Sequence, residues 1–294
     1  MVIQSKAFFK GDHFFNGFLN VILFLLSIII VFPLWNIIVN SLSSAQAIAE
    51  GKNVFWTSDF TLDNYRLVLK DSTIWTAFGI SFFKTLFGIF LHVLLCAMVA
   101  YGMSKRDLKG RKLYTAMGII TMFFSGGIIP TYILIKSLGM LNTFWVYIIP
   151  VMFSYYDMII LMNFFRQVPV SLEESARIDG AGVWRTFLSI ILPLSKPALA
   201  LITLYHGVFQ WNDFLTAKLY VTNEVLYPLQ MKLYEIIVQQ EFSSTFNPAG
   251  AVLTTTSKGI QLATIVVTTL PIVIVYPFLQ KFFVSGVMLG AVKE

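Results

Sequence analysis

The chain has 294 residues, 57% of them hydrophobic and only 12% charged, with a formal net charge of +6. Soluble domains carry about 25% charged residues, so this composition excludes an ordinary water-soluble globule and calls for lipid as part of the solvent. The basic residues sit beside hydrophobic runs with no stripe of interleaved aromatics, which excludes a nucleic-acid partner, and the single Cys96 leaves no disulfide framework and no paired-thiol metal site.

A spanning helix needs about 20 mostly apolar residues, and six segments meet that test: 17–39, 81–103, 113–135, 143–165, 197–217 and 260–283. The expectation is an all-α polytopic membrane protein, one transmembrane domain over 1–294. The first run, Phe18 to Val39, follows Lys6 and Lys10 and precedes Ala45-Gln46-Ala47, which resembles a signal-peptidase site. Signal-peptide cores run about 7–15 residues, so this longer run is expected to stay as an anchor. Pro33, Pro130, Pro150 and Pro271 fall within spans, where proline marks a kink.

Between the second and third spans, SKRDLKGRK (104–112) holds Lys105, Arg106, Lys109, Arg111 and Lys112 against Asp107 alone. Positive loops stay cytoplasmic. Alternation then puts the N-terminus, the insert 166–196 and the C-terminus on that side, with the longer stretches 40–76 and 218–258 outside. Lys84 stands at the outer end of the second span, from which its ammonium is expected to snorkel to the interface.

The insert carries a pattern of its own, SLEESARIDGAGVWRTFLSIILPL (171–194). Ser171 with Glu174 three residues on reads as a capping box. Glu173 and Glu174 suit the positive end of a helix dipole. Asp179-Gly180 and Gly182 signal a turn. Val183, Trp184, Phe187, Leu188 and Ile191 give a second helix an apolar face, and Pro193 and Pro197 end or bend it. Two short helices joined by a glycine elbow are therefore predicted. By periodicity alone they suit an amphipathic segment lying on lipid headgroups equally well.

These residues resemble the EAA motif of ABC-importer permeases: Glu174-Ser175-Ala176, then Gly180 after three residues, then Ile190, Leu192 and Pro193 after nine more. Ser175 departs from the family's alanine and keeps its small size. FQWNDFL (209–215) is similar to the W-N-D-F element of sugar-importer permeases, and the ending YPFLQKFFVSGVMLGAVKE (276–294) is similar to their G-x-x-x-G-A-V-K tail. The whole resembles permeases for complex oligosaccharides, including plant-polysaccharide and alginate fragments.

The resemblance implies a type I ABC importer permease fold with six transmembrane helices in a bacterial plasma membrane. It also implies a coupling helix that docks on a separate ATPase through Glu174, Ala176 and Gly180, with Glu173, Arg177 and Asp179 as neighbours by position. The implied partners are a second permease, forming a heterodimer, two ATP-binding subunits, an extracytoplasmic solute-binding protein touching 218–258, and an oligosaccharide cargo. ATP and Mg²⁺ would belong to the ATPases, leaving no cofactor on this chain.

No phosphate loop G-x-x-x-x-G-K-[ST], H-E-x-x-H or G-x-S-x-G occurs, so the chain itself reads as no enzyme. His13, His92 and His206 lie far apart in sequence without metal-ligand spacing, and a histidine in a span is expected to hydrogen-bond at a helix interface. Ionisable groups in spans face the bundle interior or a water-filled path. That singles out Asp157 in the fourth span and His206, Asn212 and Asp213 in the fifth, with Tyr156, Tyr205, Phe209 and Trp211 as aromatic wall. Helix packing and an interfacial aromatic belt account slightly better for any single one of them, the path accounts for them as a group, and Asn212-Asp213 also reads as a structural pair. Two other classes compete with a permease subunit. A secondary transporter would show paired repeats and interrupted helices, and a membrane anchor for a soluble complex would leave the polar groups in the spans without a role.

Overall fold

A computed structural model describes residues 10–51, 53–246 and 258–277. Helices dominate, and an isolated bridge between Ser43 and Phe60 is the one strand-like pairing among the described residues. The chain divides into two compact units, Met1–Lys70 with Ile237–Val267 and Asp71–Ile236 with Thr268–Glu294.

In the first unit, α1 (Lys10–Ser41) continues through Pro33. Its stretch Phe15–Ser41 is long and apolar enough to cross a membrane and is almost wholly exposed, a surface suited to lipid rather than water. The residues after it fold back on its end. Trp35 Nε1 donates to the Phe55 carbonyl at 2.8 Å, and the Phe32 and Phe55 rings meet edge to face. Two short helices follow, α2 (Ala45–Ala49) and α3 (Asp63–Lys70). Buried Asn64, on α3, donates from Nδ2 to the carbonyls of Ser41 and Ser43, each at 3.0 Å, closing the α1 terminus that has no intrahelical partner of its own.

The second unit is built around α4 (Ser72–Ser104), whose N-cap Asp71 accepts from Thr73 N at 2.8 Å. Next come α5 (Arg111–Phe123) and α6 (Ile128–Ser137), bent by 112° at a break where Gly127 takes φ +90°. Tight turns over Phe144–Val151 then meet α7 (Tyr155–Phe165) at 52°. Past α8 (Val170–Ile178), α9 (Val183–Leu194) joins α10 (Lys196–Asn212) at 80°. The described chain closes with α11 (Leu215–Tyr220), α12 (Leu229–Phe246) and α13 (Lys258–Pro277).

Among the described residues three helices are long and apolar enough to span, within α1, α4 and α13, and up to six spans result when each bent pair counts as one. The continuous third, fourth and fifth spans read from hydropathy are thus corrected. The third breaks at the glycines before Pro130, the fourth just after Pro150, and the fifth stops at Asn212, where the backbone of Asp213 turns extended and its carboxylate accepts the Thr216 N–H at the start of α11. Hydropathy averages over such breaks, while proline removes the N–H that a continuous helix needs. The Gly286–Lys293 ending of the family resemblance lies outside the described residues.

Candidate functional site

The core of the second unit is a seam between α4 and α10. Buried residues recur every four positions on α4 (Lys84, Gly88, His92, Cys96, Ala100) and on α10 (Ala198, Ile202, His206, Gln210). That spacing lines up one face of a helix. Because the two helices run antiparallel, Lys84 meets Asp213, Gly88 meets Gln210 and His92 meets His206. Cys96, Ala100, Ala198 and Ile202 continue the seam into an apolar cluster with Met158, Leu161 and Phe187. One half of the seam is oily and the other half polar.

The polar half is closely paired. Lys84 is fully buried; its Nζ donates to the Asp213 carbonyl at 2.7 Å, stands 3.5 Å from Asp213 Oδ2, and lies 5.0 Å from the centre of the Tyr147 ring. The expected snorkelling of Lys84 is therefore corrected: the ammonium points inward, because the end of α10 offers it a carbonyl and a carboxylate. At Gly88 an added Cβ would stand 2.6 Å from Gln210 Nε2, which itself donates to the Tyr147 carbonyl at 2.9 Å. Only glycine admits that amide.

At the centre, the His92 and His206 rings stack 3.7 Å apart and nearly parallel. His92 Nε2 lies 2.9 Å from Asp157 Oδ2 on α7, and its Nδ1 lies 3.1 Å from the Val151 carbonyl. Two histidines more than a hundred positions apart in sequence thus form one polar cluster with Asp157. No group of three or more His, Cys, Asp or Glu side chains among the described residues is arranged to hold a metal ion.

Beside this cluster is a cavity of about 370 Å³, lined by His92, Ser154, Asp157 and His206 and walled by Phe153, Tyr156, Tyr205 and Phe209. Five residues singled out from sequence as a substrate path, Tyr156, Asp157, Tyr205, His206 and Phe209, come together here. Three do not line it. Trp211 is buried against Phe78 with Nε1 donating to the Thr268 carbonyl, Asn212 Nδ2 turns back to the Val208 carbonyl, and Asp213 holds Lys84 and the Thr216 N–H. His92, absent from the sequence-based set, is the residue that orients Asp157. The four-residue stripe on α4 was the signal that could have found it.

The segment 170–194 has its own geometry. α8 ends in a Schellman motif: Ala181 N donates to the Ala176 carbonyl at 2.8 Å, Gly180 N donates to Arg177 at 3.1 Å, and Gly180 takes φ +75°. The expected capping box is corrected. Pro169 is the N-cap and no side chain caps the helix, because the turn begins at Val170 and places Ser171 already inside it. Glu173 instead pairs with Lys105 and reaches the Tyr101 hydroxyl at 3.5 Å, while Glu174, Ser175, Arg177 and Asp179 are exposed.

The apolar face expected of the second helix is divided by a π-turn over Phe187–Ile191. Phe187 and Ile191 are buried, Phe187 stacking on Tyr101, whereas Val183, Trp184 and Leu188 face out together with Ile178, which is 86% exposed. Ile190 and Leu192 are half-buried and Pro193 is exposed just before the 80° bend.

No protein-family model matches the chain. The polygalacturonan/rhamnogalacturonan transport system permease protein YtcP of Bacillus subtilis is 37% identical over 96% of this chain and 99% of its own length. The chain belongs to the permease subunits of sugar ABC transporters. Protein LplC of the same organism is 40% identical to this permease over 90% of each chain. Among solved structures, a bacterial ABC transporter involved in the import of the acidic polysaccharide alginate superposes with a TM-score of 0.85 at 30% identity, covering 95% of the permease and all of that chain. Its likeness to a second alginate-transporter chain, at 14% identity and a TM-score of 0.55, is one of fold.

Proposed function

We propose that this chain is one half of the translocation path of an ATP-driven oligosaccharide importer, moved by ATPase subunits that dock on 170–194. The observation that carries the reading is the elbow at Gly180. A helix transmits force only when it is rigid and seated. α8 is closed by its Schellman motif and tied by Glu173 to Lys105 at the foot of α4, and the elbow leaves Ile178, Val183, Trp184 and Leu188 free for a partner. In a chain of this family, an ATPase groove is the partner of matching chemistry. ATP and Mg²⁺ belong to that subunit, and no covalent chemistry falls to this one.

In this reading Lys105 to Lys112, the 166–196 insert and both termini are cytoplasmic. The outer segment, including α12, meets the solute-binding protein. A second, different permease completes the path. The cavity beside His92 and Asp157 is this chain's sugar-facing wall: rings for C–H faces and polar atoms for hydroxyls. Closing of the ATPase dimer would carry α8 and α9 with it and tilt the bent spans from inward- to outward-facing.

The test is uptake by the intact complex, purified through a tag on this chain and reconstituted in vesicles, with ATP inside and with or without a proton gradient. ATP-dependent entry that ignores the gradient is expected. Entry driven by a gradient with the ATPases removed would sink the reading.

A further inference from the structure

We propose that the stretch 105–112 and the outward face of α5 form a site for an anionic phospholipid, its headgroup held by Arg106, Lys109, Arg111 and Lys112 and one acyl chain laid along the helix. This goes beyond the transport reading and does not depend on what the path carries.

The stretch holds five cations against Asp107 alone. Lys105 is committed to Glu173 and to the face of the Tyr101 ring, and Arg166, from the end of α7, donates to the Met103 carbonyl at 3.2 Å. Arg106, Lys109, Arg111 and Lys112 have no hydrogen-bond or ion-pair partner for their side chains among the described residues. Arg111 and Lys112 also stand on the first turn of α5, which holds no acidic side chain. The helix dipole disfavours cations at that end, so alone they weaken the helix they begin. A bound anion reverses the sign.

Below these charges lies a stripe of matching depth. Leu113, Met117, Ile120 and Phe124 recur at the spacing of one helix face, each more than half exposed. The opposite side of α5 is its seat: the Tyr155 ring of α7 fills the space that a Cβ on Gly118 would need, and the Tyr155 hydroxyl donates to the Thr115 carbonyl at 3.4 Å. From Leu113 to Phe124 the chain rises about 16 Å, roughly half of a ~30 Å hydrocarbon core. The stripe is thus one leaflet long, with the cations at one end and the 112° bend just past the other. A soluble subunit could neutralise the cations but cannot enter the bilayer to cover the stripe. A lipid of no net charge covers the stripe and leaves the cations uncompensated. A phospholipid with a negative headgroup answers both with one molecule.

The test places the intact complex, purified through a tag on this chain, in vesicles of phosphatidylcholine and phosphatidylglycerol in equal parts. One lipid or the other carries a photoreactive group on its acyl chain, and mass spectrometry of the digest locates the label. Labelling of 113–124 by phosphatidylglycerol is expected to exceed that by phosphatidylcholine at least about tenfold, since each surface cation adds roughly fivefold to the affinity for an anionic lipid. Arg111→Gln with Lys112→Gln should cut that excess at least about fivefold. High salt, which screens the charges, should lower it in the unaltered complex, and this arm decides if the variant fails to assemble. Equal labelling by the two lipids overturns the proposal, as does an excess that neither salt nor an assembled variant lowers. A stripe that neither lipid labels also overturns it, because another membrane chain then covers α5. So does an excess that appears only after the ATPases are stripped away, which would give the cations to that subunit.

Discussion

Lys84 and Asp213 meet in the interior of the protein, 129 positions apart in sequence, with Nζ 2.7 Å from the Asp213 carbonyl and 3.5 Å from its Oδ2. Asp213 also accepts the Thr216 N–H at Oδ1, so one carboxylate both neutralises the lysine and starts α11. The pair fixes where α10 stops. Lys84→Met leaves the carboxylate without its cation and should cost about 3 kcal/mol. Thermal unfolding of the purified complex measures it. The double variant Lys84→Met with Asp213→Asn should recover part of the loss, and a double variant no better than the single one would show the pair is not coupled.

Gly88→Ala drives a methyl toward Gln210 Nε2, where the Cβ would stand 2.6 Å away. The amide can move only by giving up its bond to the Tyr147 carbonyl. The expected destabilisation is about 1–3 kcal/mol, and Gln210→Ala in the same chain should relieve it. The melting temperatures of the three variants decide the matter.

Gly180→Ala places a side chain on a residue at φ +75°, in open space. The cost is backbone strain of about 1–2 kcal/mol, small against the whole protein yet concentrated at the elbow. Co-purification with the ATPases should persist while uptake per ATP hydrolysed falls severalfold. Uptake at the parent's level would show that the elbow's shape does not matter to coupling.

Lys105 and Glu173 tie α8 to the end of α4, with the Lys105 ammonium also 4.0 Å over the Tyr101 ring. Both side chains are partly exposed, so the pair contributes under about 1 kcal/mol to stability. Its effect is expected in transport. Lys105→Glu should slow uptake, and adding Glu173→Lys should restore it, with melting temperature nearly unchanged throughout.

On α12, burial works against the charge of Lys232, but hydrogen bonds and charge from Glu235 and Glu224 outweigh it and hold its pKa above the ordinary 10.5. A raised pKa means the ammonium's contribution is complete below about 10.5 and is lost only as pH climbs through the folded value. Proteolysis of α12 should therefore be flat from neutral pH to about 10 and rise above it. Lys232→Met should remove that alkaline rise.

How far the site was legible varies from residue to residue. Asp157 and His206 stood out because ionisable groups inside apolar runs are costly and so have partners. His92 has the same character, but its isolation in sequence hid the fact that α4 and α10 run antiparallel and bring it against His206. Lys84 was misread for a related reason. Near the end of a hydrophobic run, outward and inward lysines look alike, and only the arrival of Asp213 from a distant helix distinguishes them. Ser171 looked like a cap by its spacing to Glu174, yet Pro169 started the turn two residues earlier.

By itself the sequence determined the solvent, the all-helical class, the positive loop at 104–112, and the helix–glycine–helix pattern at 171–194, because each depends on local composition or on spacing within a few turns. Tertiary structure alone decided that two distant histidines stack, that Lys84 turns inward to Asp213, and that Asp157 rather than Asp213 borders the cavity. These depend on which helix faces meet. A buried charge takes whatever partner the packing brings, and hydropathy read along one strand of text carries no record of the neighbour.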